Sequence, residues 1–379
     1  MNRLIGSKTF PFQNLVIYRS RINMLYCNQM VTLLQSISMN ISLAFDQTSR
    51  RLGLLIPKLR GRGWPVAFLL FVSAAWATAA PQVNWTQLSP ATSPSARSNV
   101  AMAYDPVSRD VILFGGFTGA AYCDETWAFD GTTWTKINTP VAPPARSAAQ
   151  MAYDSVSGKI VLFGGTDHLV DFNDTWLWDG ATFTWTPTSP VHSPGNLTGP
   201  LVFRDPNGRV DEFGGFDGTL YYLKMWQWNG SDWIRLQPSM VPSARAWAPV
   251  ATGLPHHQVV LFGGLASINP DNTWTYDGFT WTPHPAAAQP PLLYYTAAAF
   301  DPNLNAAVLF GGGSGGVDQD TTWAWTGANW HQLFPAQSPS AREGMGLVFD
   351  EALGRVILFG GQLPGSTFTY FNDTWELTP

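Results

Sequence analysis

Four arginines carry the first chemical signal in this chain. Arg97, Arg146, Arg245 and Arg342 each end a Pro-x-Ala-Arg segment. A planar guanidinium offers paired donors that suit an anion or a sugar hydroxyl. Pairing with a neighbouring Asp inside a repeat is the competing reading. It is the favoured one, because structural ion pairs are common. Trp247 follows Arg245 closely, with Tyr221 and Tyr222 upstream and Tyr294 and Tyr295 downstream. An aromatic face beside polar donors suits a stacked sugar ring or a short peptide. A packed plug would use the same residues.

The six histidines are His168, His192, His256, His257, His284 and His331. None has the spacing of a zinc motif, and a metal site needs several converging ligands. They read as solvated loop residues, and His168, set between Asp167 and Asp171, is the best exception. No Gly-x-Ser-x-Gly elbow appears. No catalytic residue, metal or cofactor is therefore expected.

The elements that would position these residues come from a repeat. Gly-Gly pairs begin at Gly115, Gly164, Gly214, Gly263, Gly311 and Gly360, spaced 49, 50, 49, 48 and 49 residues apart. A fixed period of that size means one supersecondary unit repeated. Each unit holds four short runs rich in Val, Ile, Phe, Tyr, Trp and Thr, separated by Gly, Pro, Asn and Asp. These read as four strands, a to d. Asp-Pro closes strand a at Asp105, Asp205 and Asp301, and Asp-Gly or Asn-Gly joins c to d. Both pairs suit tight turns. Tryptophan recurs in strand c (Trp127, Trp176, Trp226, Trp274, Trp323, Trp375) and in strand d (Trp85, Trp134, Trp185, Trp233, Trp281, Trp330). Large rings at fixed positions suit packing between adjacent twisted sheets.

The ends predict how the repeats close. The last unit stops within strand c at Trp375-Glu-Leu-Thr-Pro379, while a lone strand d, Trp85–Leu88, precedes the first strand a. The N-terminal strand should complete the last sheet and so remove exposed edges. The Phe-Gly-Gly of strand b, the Asn-Asp-Thr-Trp stretch and the strand-d Trp resemble kelch repeats of the galactose-oxidase-like, exported bacterial type. The resemblance spans residues 85–379. It implies an all-β fold: a six-bladed β-propeller of four-stranded antiparallel blades, with strand a lining a central channel. Cys123 beside Tyr122 could be imagined in an oxidase-type crosslink, but no His pair completes a copper site.

Aligning strand a places Leu197 and Leu293 where the other units carry Arg, and makes Asn99, Ala148, Gly199, Trp247, Tyr295 and Gly344 equivalent. In a four-stranded meander the b–c and d–a loops share one face, and the b–c loops are long and varied. Functional residues concentrate on variable loops over rigid scaffolds. The candidate binding residues are therefore Arg97, Arg146, Arg245, Arg342, Trp247, Tyr221, Tyr222, Tyr294, Tyr295, His168 and Asp171. Kelch resemblance implies binding through that face.

Residues 1–80 differ. Residues 1–63 form a basic leader with nine Lys and Arg against Asp46, and residues 64–80 hold an apolar run ending in small residues. That pattern predicts an export signal cut near Ala80, or a membrane anchor if left uncut. Residues 81–379 form the propeller. Residues 64–379 keep 12 of the 21 Lys and Arg and 25 of the 26 Asp and Glu, a net charge near −13. Such a balance argues against nucleic-acid binding. The expectation is an exported binding module for a glycan or a protein, with no stable membrane span once cut. An enzyme on a sugar-like substrate and a surface scaffold are the alternatives.

Overall fold

The computed structural model describes residues 83–254, 258–266, 273–285 and 288–379. The leader, the apolar run, the export cleavage point, His256 and His257 lie outside the described residues. Among those described, no helix is long and apolar enough to cross a membrane.

Six four-stranded antiparallel sheets form six blades, as the repeat predicts. Blade 1 runs a Ala101–Asp105, b Asp110–Phe114, c Thr126–Phe129 and d Trp134–Ile137. Blades 2 to 5 repeat this order, with strands a at Gln150–Asp154, Leu201–Arg204, Val250–Leu254 and Ala297–Asp301. Blade 6 takes a, b and c from Gly346–Asp350, Arg355–Phe359 and Thr374–Thr378. Its strand d is the N-terminal Asn84–Leu88, with Trp85 opposite Leu377. Each strand a packs on those of the two neighbouring blades, and blade 6 meets blade 1. The sheets thus close a ring.

Four repeat residues explain how blades join. In five of the six blades the strand-d Trp donates its indole N–H to the Thr that opens strand c of the blade before it, and in the sixth Met225 takes the place of that Thr. Trp85 bonds Thr322 at 3.0 Å, Trp134 bonds Thr374 at 2.9 Å, and Trp185 bonds Thr126 at 2.8 Å. All six strand-d Trp are buried. Truncating any of them to Ala would cost about 3–5 kcal/mol. The second glycine of each Gly-Gly donates its N–H to the next blade's carbonyl at the Pro-x-Ala-Arg position, as Gly116 does to Arg146 at 2.9 Å. The first glycine, with φ of +73° at Gly115, lies so close that an added Cβ would meet that carbonyl at 2.6 Å. Glycine is required there both for the left-handed backbone and for the approach.

Candidate functional site

The b–c and d–a loops meet on one face, as bridges such as Ser98 with Phe117 and Tyr294 with Gly313 show. On this face the channel mouth is a closed girdle. Asn99, Ala148, Gly199, Trp247, Tyr295 and Gly344 all have φ between +50° and +65°. The N–H of each donates to the carbonyl of its equivalent in the preceding blade, over 2.6 to 3.1 Å, all the way round. The girdle's N–H groups therefore satisfy one another, so ligand chemistry at this mouth falls to side chains.

A left-handed backbone suits Gly and Asn and is uncommon for a bulky residue. Trp247 and Tyr295 adopt it nonetheless. Their rings lie 5.1 Å apart, and Phe216 adds a third ring 5.9 Å from Trp247. Tyr221 packs at a tilt against Phe216 at 4.9 Å, and Tyr294 sits edge-on to Tyr295. The Trp247 indole lies across Gly199 of the preceding blade, where a side chain would collide with it. All five rings remain partly exposed. They form an arc over blades 3, 4 and 5.

Glu343 borders the arc. Its side chain is 7% exposed, and Oε1 accepts from Gln362 Nε2 at 3.0 Å. Gln362 in turn accepts from Ser98 at 2.7 Å. Burial first, and the field of Asp318 behind it, raise the Glu343 carboxyl above the usual range. Burial, with Glu343 next, pushes the Tyr295 hydroxyl up to about 12.

The arginines sit elsewhere. All four side chains are buried, and each works inside its own blade. Arg146 makes a two-pronged pair with Asp174 at 2.5 and 2.8 Å, donates to the Gly164 carbonyl, and stacks on Phe172. Arg342 repeats this with Asp373, Gly360 and Phe371. Arg97 pairs with Glu125 at 2.6 Å. Burial opposes the Glu125 carboxylate, but its donors Lys136, Arg97 and Trp127 outweigh that and hold it down to about 2. Arg245 bonds Ser243 and the Gly263 carbonyl. The blades without Arg also lack the acid: Leu197 goes with Lys224, and Leu293 with Thr321. Arginine and acid appear and vanish together, as a structural pin would.

The remaining candidates scatter. Tyr222 donates to Asp217 at 3.0 Å under Lys224. His168 is exposed with φ of +77°, and its N–H donates to Thr166. The backbone of Asp171 pairs with Thr166 in the same blade-2 loop. Among the described residues, no three His, Cys, Asp or Glu group as metal ligands. The structure thus gathers Trp247, Tyr221, Tyr294 and Tyr295 into one patch and leaves Arg97, Arg146, Arg342, His168 and Asp171 outside it.

Phe216 and Glu343 complete the patch without having been singled out in the sequence. The signal for Glu343 was its place one residue after Arg342, where other blades have Ser98, Ser147, Thr198, Ala246 and Tyr294. The opposite mouth was also missed. There a cavity of about 470 Å³ opens among Tyr104, Tyr153, Arg204, Phe300, Phe349 and Glu351.

The family model of the KLHDC2/KLHL20/DRC7 Kelch-repeats domain matches residues 72–264. No curated protein matches the chain. The match spans just over half of the sequence, and the blades beyond it keep the same strands, turns and inter-blade bonds. The chain belongs to the kelch-repeat family.

Proposed function

We propose that this propeller is a protein-binding module that docks its partner on the b–c/d–a loop face, over the arc of Trp247, Tyr295, Tyr294, Phe216 and Tyr221. A kelch propeller suggests a protein partner. The observation that carries the choice of face is the backbone of Trp247 and Tyr295. Gly199, Ala148, Gly344 and Asn99 fill the same girdle position, so the fold does not need bulk there. Holding large aromatics in a left-handed backbone costs on the order of 1–3 kcal/mol, and such strain clusters at functional sites. Partly exposed aromatic rings are also the usual anchors of protein interfaces.

A glycan is the second reading, supported by the polar row of Ser98, Gln362 and Glu343 beside the rings. The basic leader and apolar run support export of the module. Affinity capture from extracts of the cells that make the protein tests the docking face. Trp247→Ala should lose the captured partner, because removing an anchor costs about 2 kcal/mol or more. Arg235→Ala, on an outer strand, should retain it. Equal capture by both variants would reject this face.

A further inference from the structure

We propose that the arc recognises a cation, the arginine or lysine side chain of a basic segment in the partner protein, held between the aromatic rings and the carboxylates of Glu343 and Asp318. This inference rests on the docking reading above and names the chemistry of that partner.

The geometry around Gly313 carries it. A Cβ built on Gly313 would come within 2.5 Å of the Tyr294 ring and 2.9 Å of Glu343 Oε2. The backbone of Gly313 also pairs with that of Asp318 across a short hairpin. One glycine thus brings a tyrosine ring and two carboxylates into one neighbourhood, with Tyr295 and Trp247 next in the arc. Glu343 Oε2 has no hydrogen-bond donor among the described residues. Burial raises the Asp318 carboxyl too. Two carboxylates that burial and mutual repulsion disfavour gain most from an incoming positive charge. Aromatic faces add attraction of their own for a cation.

Charge is divided between the two ends of the propeller. Residues 83–379 hold twelve Lys and Arg. Four are the buried arginines, and Lys136 is spent on Glu125. Arg109, Lys159, Arg204, Arg209 and Arg355 lie at the a–b end, at the close of strand a, in the turn or at the start of strand b. The loop face holds Lys224, which lies over the Tyr222 ring, and Arg235 lies on the outer strand of blade 3. Its acids include Asp167, Asp171, Asp217, Asp318, Asp320 and Glu343, and none of these forms an ion pair among the described residues. A face of uncompensated acids around aromatic rings attracts a basic partner and disfavours an acidic one.

Fluorescence anisotropy with three labelled peptides tests this: Gly-Arg-Gly-Arg-Gly and its counterparts carrying citrulline or glutamate. Citrulline keeps the shape of arginine without its charge. The arginine peptide should bind saturably, and more weakly as salt rises. The citrulline peptide should bind about tenfold more weakly, and the glutamate peptide more weakly still. Glu343→Gln should cost about tenfold for the arginine peptide and little for citrulline. Asp318→Asn, at a less buried position, repeats the test if Glu343→Gln fails to fold. Equal binding of arginine and citrulline, lost in Trp247→Ala, would overturn the cation inference and leave the docking face standing. No saturable binding of any peptide would also overturn it, while the docking face would still be judged by the capture experiment.

Discussion

Blades 1, 2 and 6 differ from blades 3, 4 and 5 in what their repeat positions do. The first group keeps the buried Arg–acid pins of Arg97, Arg146 and Arg342, and a Thr at the head of each strand c. Its girdle residues are small: Asn99, Ala148 and Gly344. In the second group, Leu197 and Leu293 replace two arginines, and Met225 replaces a Thr. Strand a of blade 4 carries a bulge at Gly253, and the girdle carries Trp247 and Tyr295. One half of the ring holds the regular bonds of the fold. The other half has given some of them up, and that is where the exposed aromatic arc lies.

Blade 3 shows the cost. Its strand b carries Asp211 and Glu212 where the other blades have Ile or Val followed by Leu. Both acids are buried, Asp211 toward blade 4 and Glu212 toward blade 2. Gln227 donates to Asp211 at 2.9 Å, while Glu212 Oε1 has no partner. Burial first and Asp211 second push the Glu212 carboxyl well above its usual range. A related mismatch marks the a–b end. Trp178 donates to Asp105 of the preceding blade at 3.2 Å, whereas Asp350 Oδ2 and Asp301 Oδ2 have no partner, and the residues at the Trp178 position in the blades that follow them are Phe129 and Leu377, which cannot donate.

The largest expected effect breaks a pin. Asp373→Ala leaves the Arg342 guanidinium buried without its carboxylate, which should cost about 3 kcal/mol in chemical denaturation. Copying blade 5 with Arg342→Leu and Asp373→Thr together should cost much less, since no buried charge remains. A double variant weaker than the single one would show that blades 3 and 5 make up for the missing pin by some other means.

The next effect is a gain. Glu212→Leu, the residue of all five other blades, should stabilise the protein by at least about 1 kcal/mol near neutral pH. A carboxyl raised in the folded state gives its full stability below the ordinary carboxylate range, and loses it as pH climbs toward the folded value. The melting midpoint of the parent should therefore drop across that rise more than the variant's. An unchanged midpoint and pH slope would mean that Glu212 is satisfied in a way its burial does not reveal.

The smallest effect sharpens the same contrast. Thr126→Val removes the acceptor of the Trp185 indole and should cost about 1 kcal/mol. Met225→Val, at the corresponding position of blade 3, removes only the weaker sulfur acceptor of Trp281, 3.4 Å away. It should cost less of that bond, which a thermal melt of the two variants can compare.

Much of the fold was legible because the repeat is written six times. The Gly-Gly spacing, the two Trp positions and the missing last strand d led to six blades and the closing strand. The candidate site was less legible. For Arg97 and Arg342 the favoured reading, a pair with an acid inside the repeat, matches the structure, but the partners Glu125 and Asp373 lie 28 and 31 residues away, and only the fold brings them together. Trp247 and Tyr295 stood out because they break a column of small residues. The girdle of hydrogen bonds that makes them strained is a property of the closed ring and leaves no mark on any single repeat. Glu212 is an acid within a strand whose apolar neighbours mark it as core, so the strand is legible in the sequence and the burial of the acid is not.

Site-specific photo-crosslinking tests the central claim most directly. A crosslinking residue at Leu220, 62% exposed in the blade-3 loop beside the arc, should capture the partner protein. The same residue at Val156, 58% exposed in the a–b turn of blade 2 at the opposite end, should not. Capture from Val156 with none from Leu220 would contradict the account and move the binding surface to the other mouth of the channel.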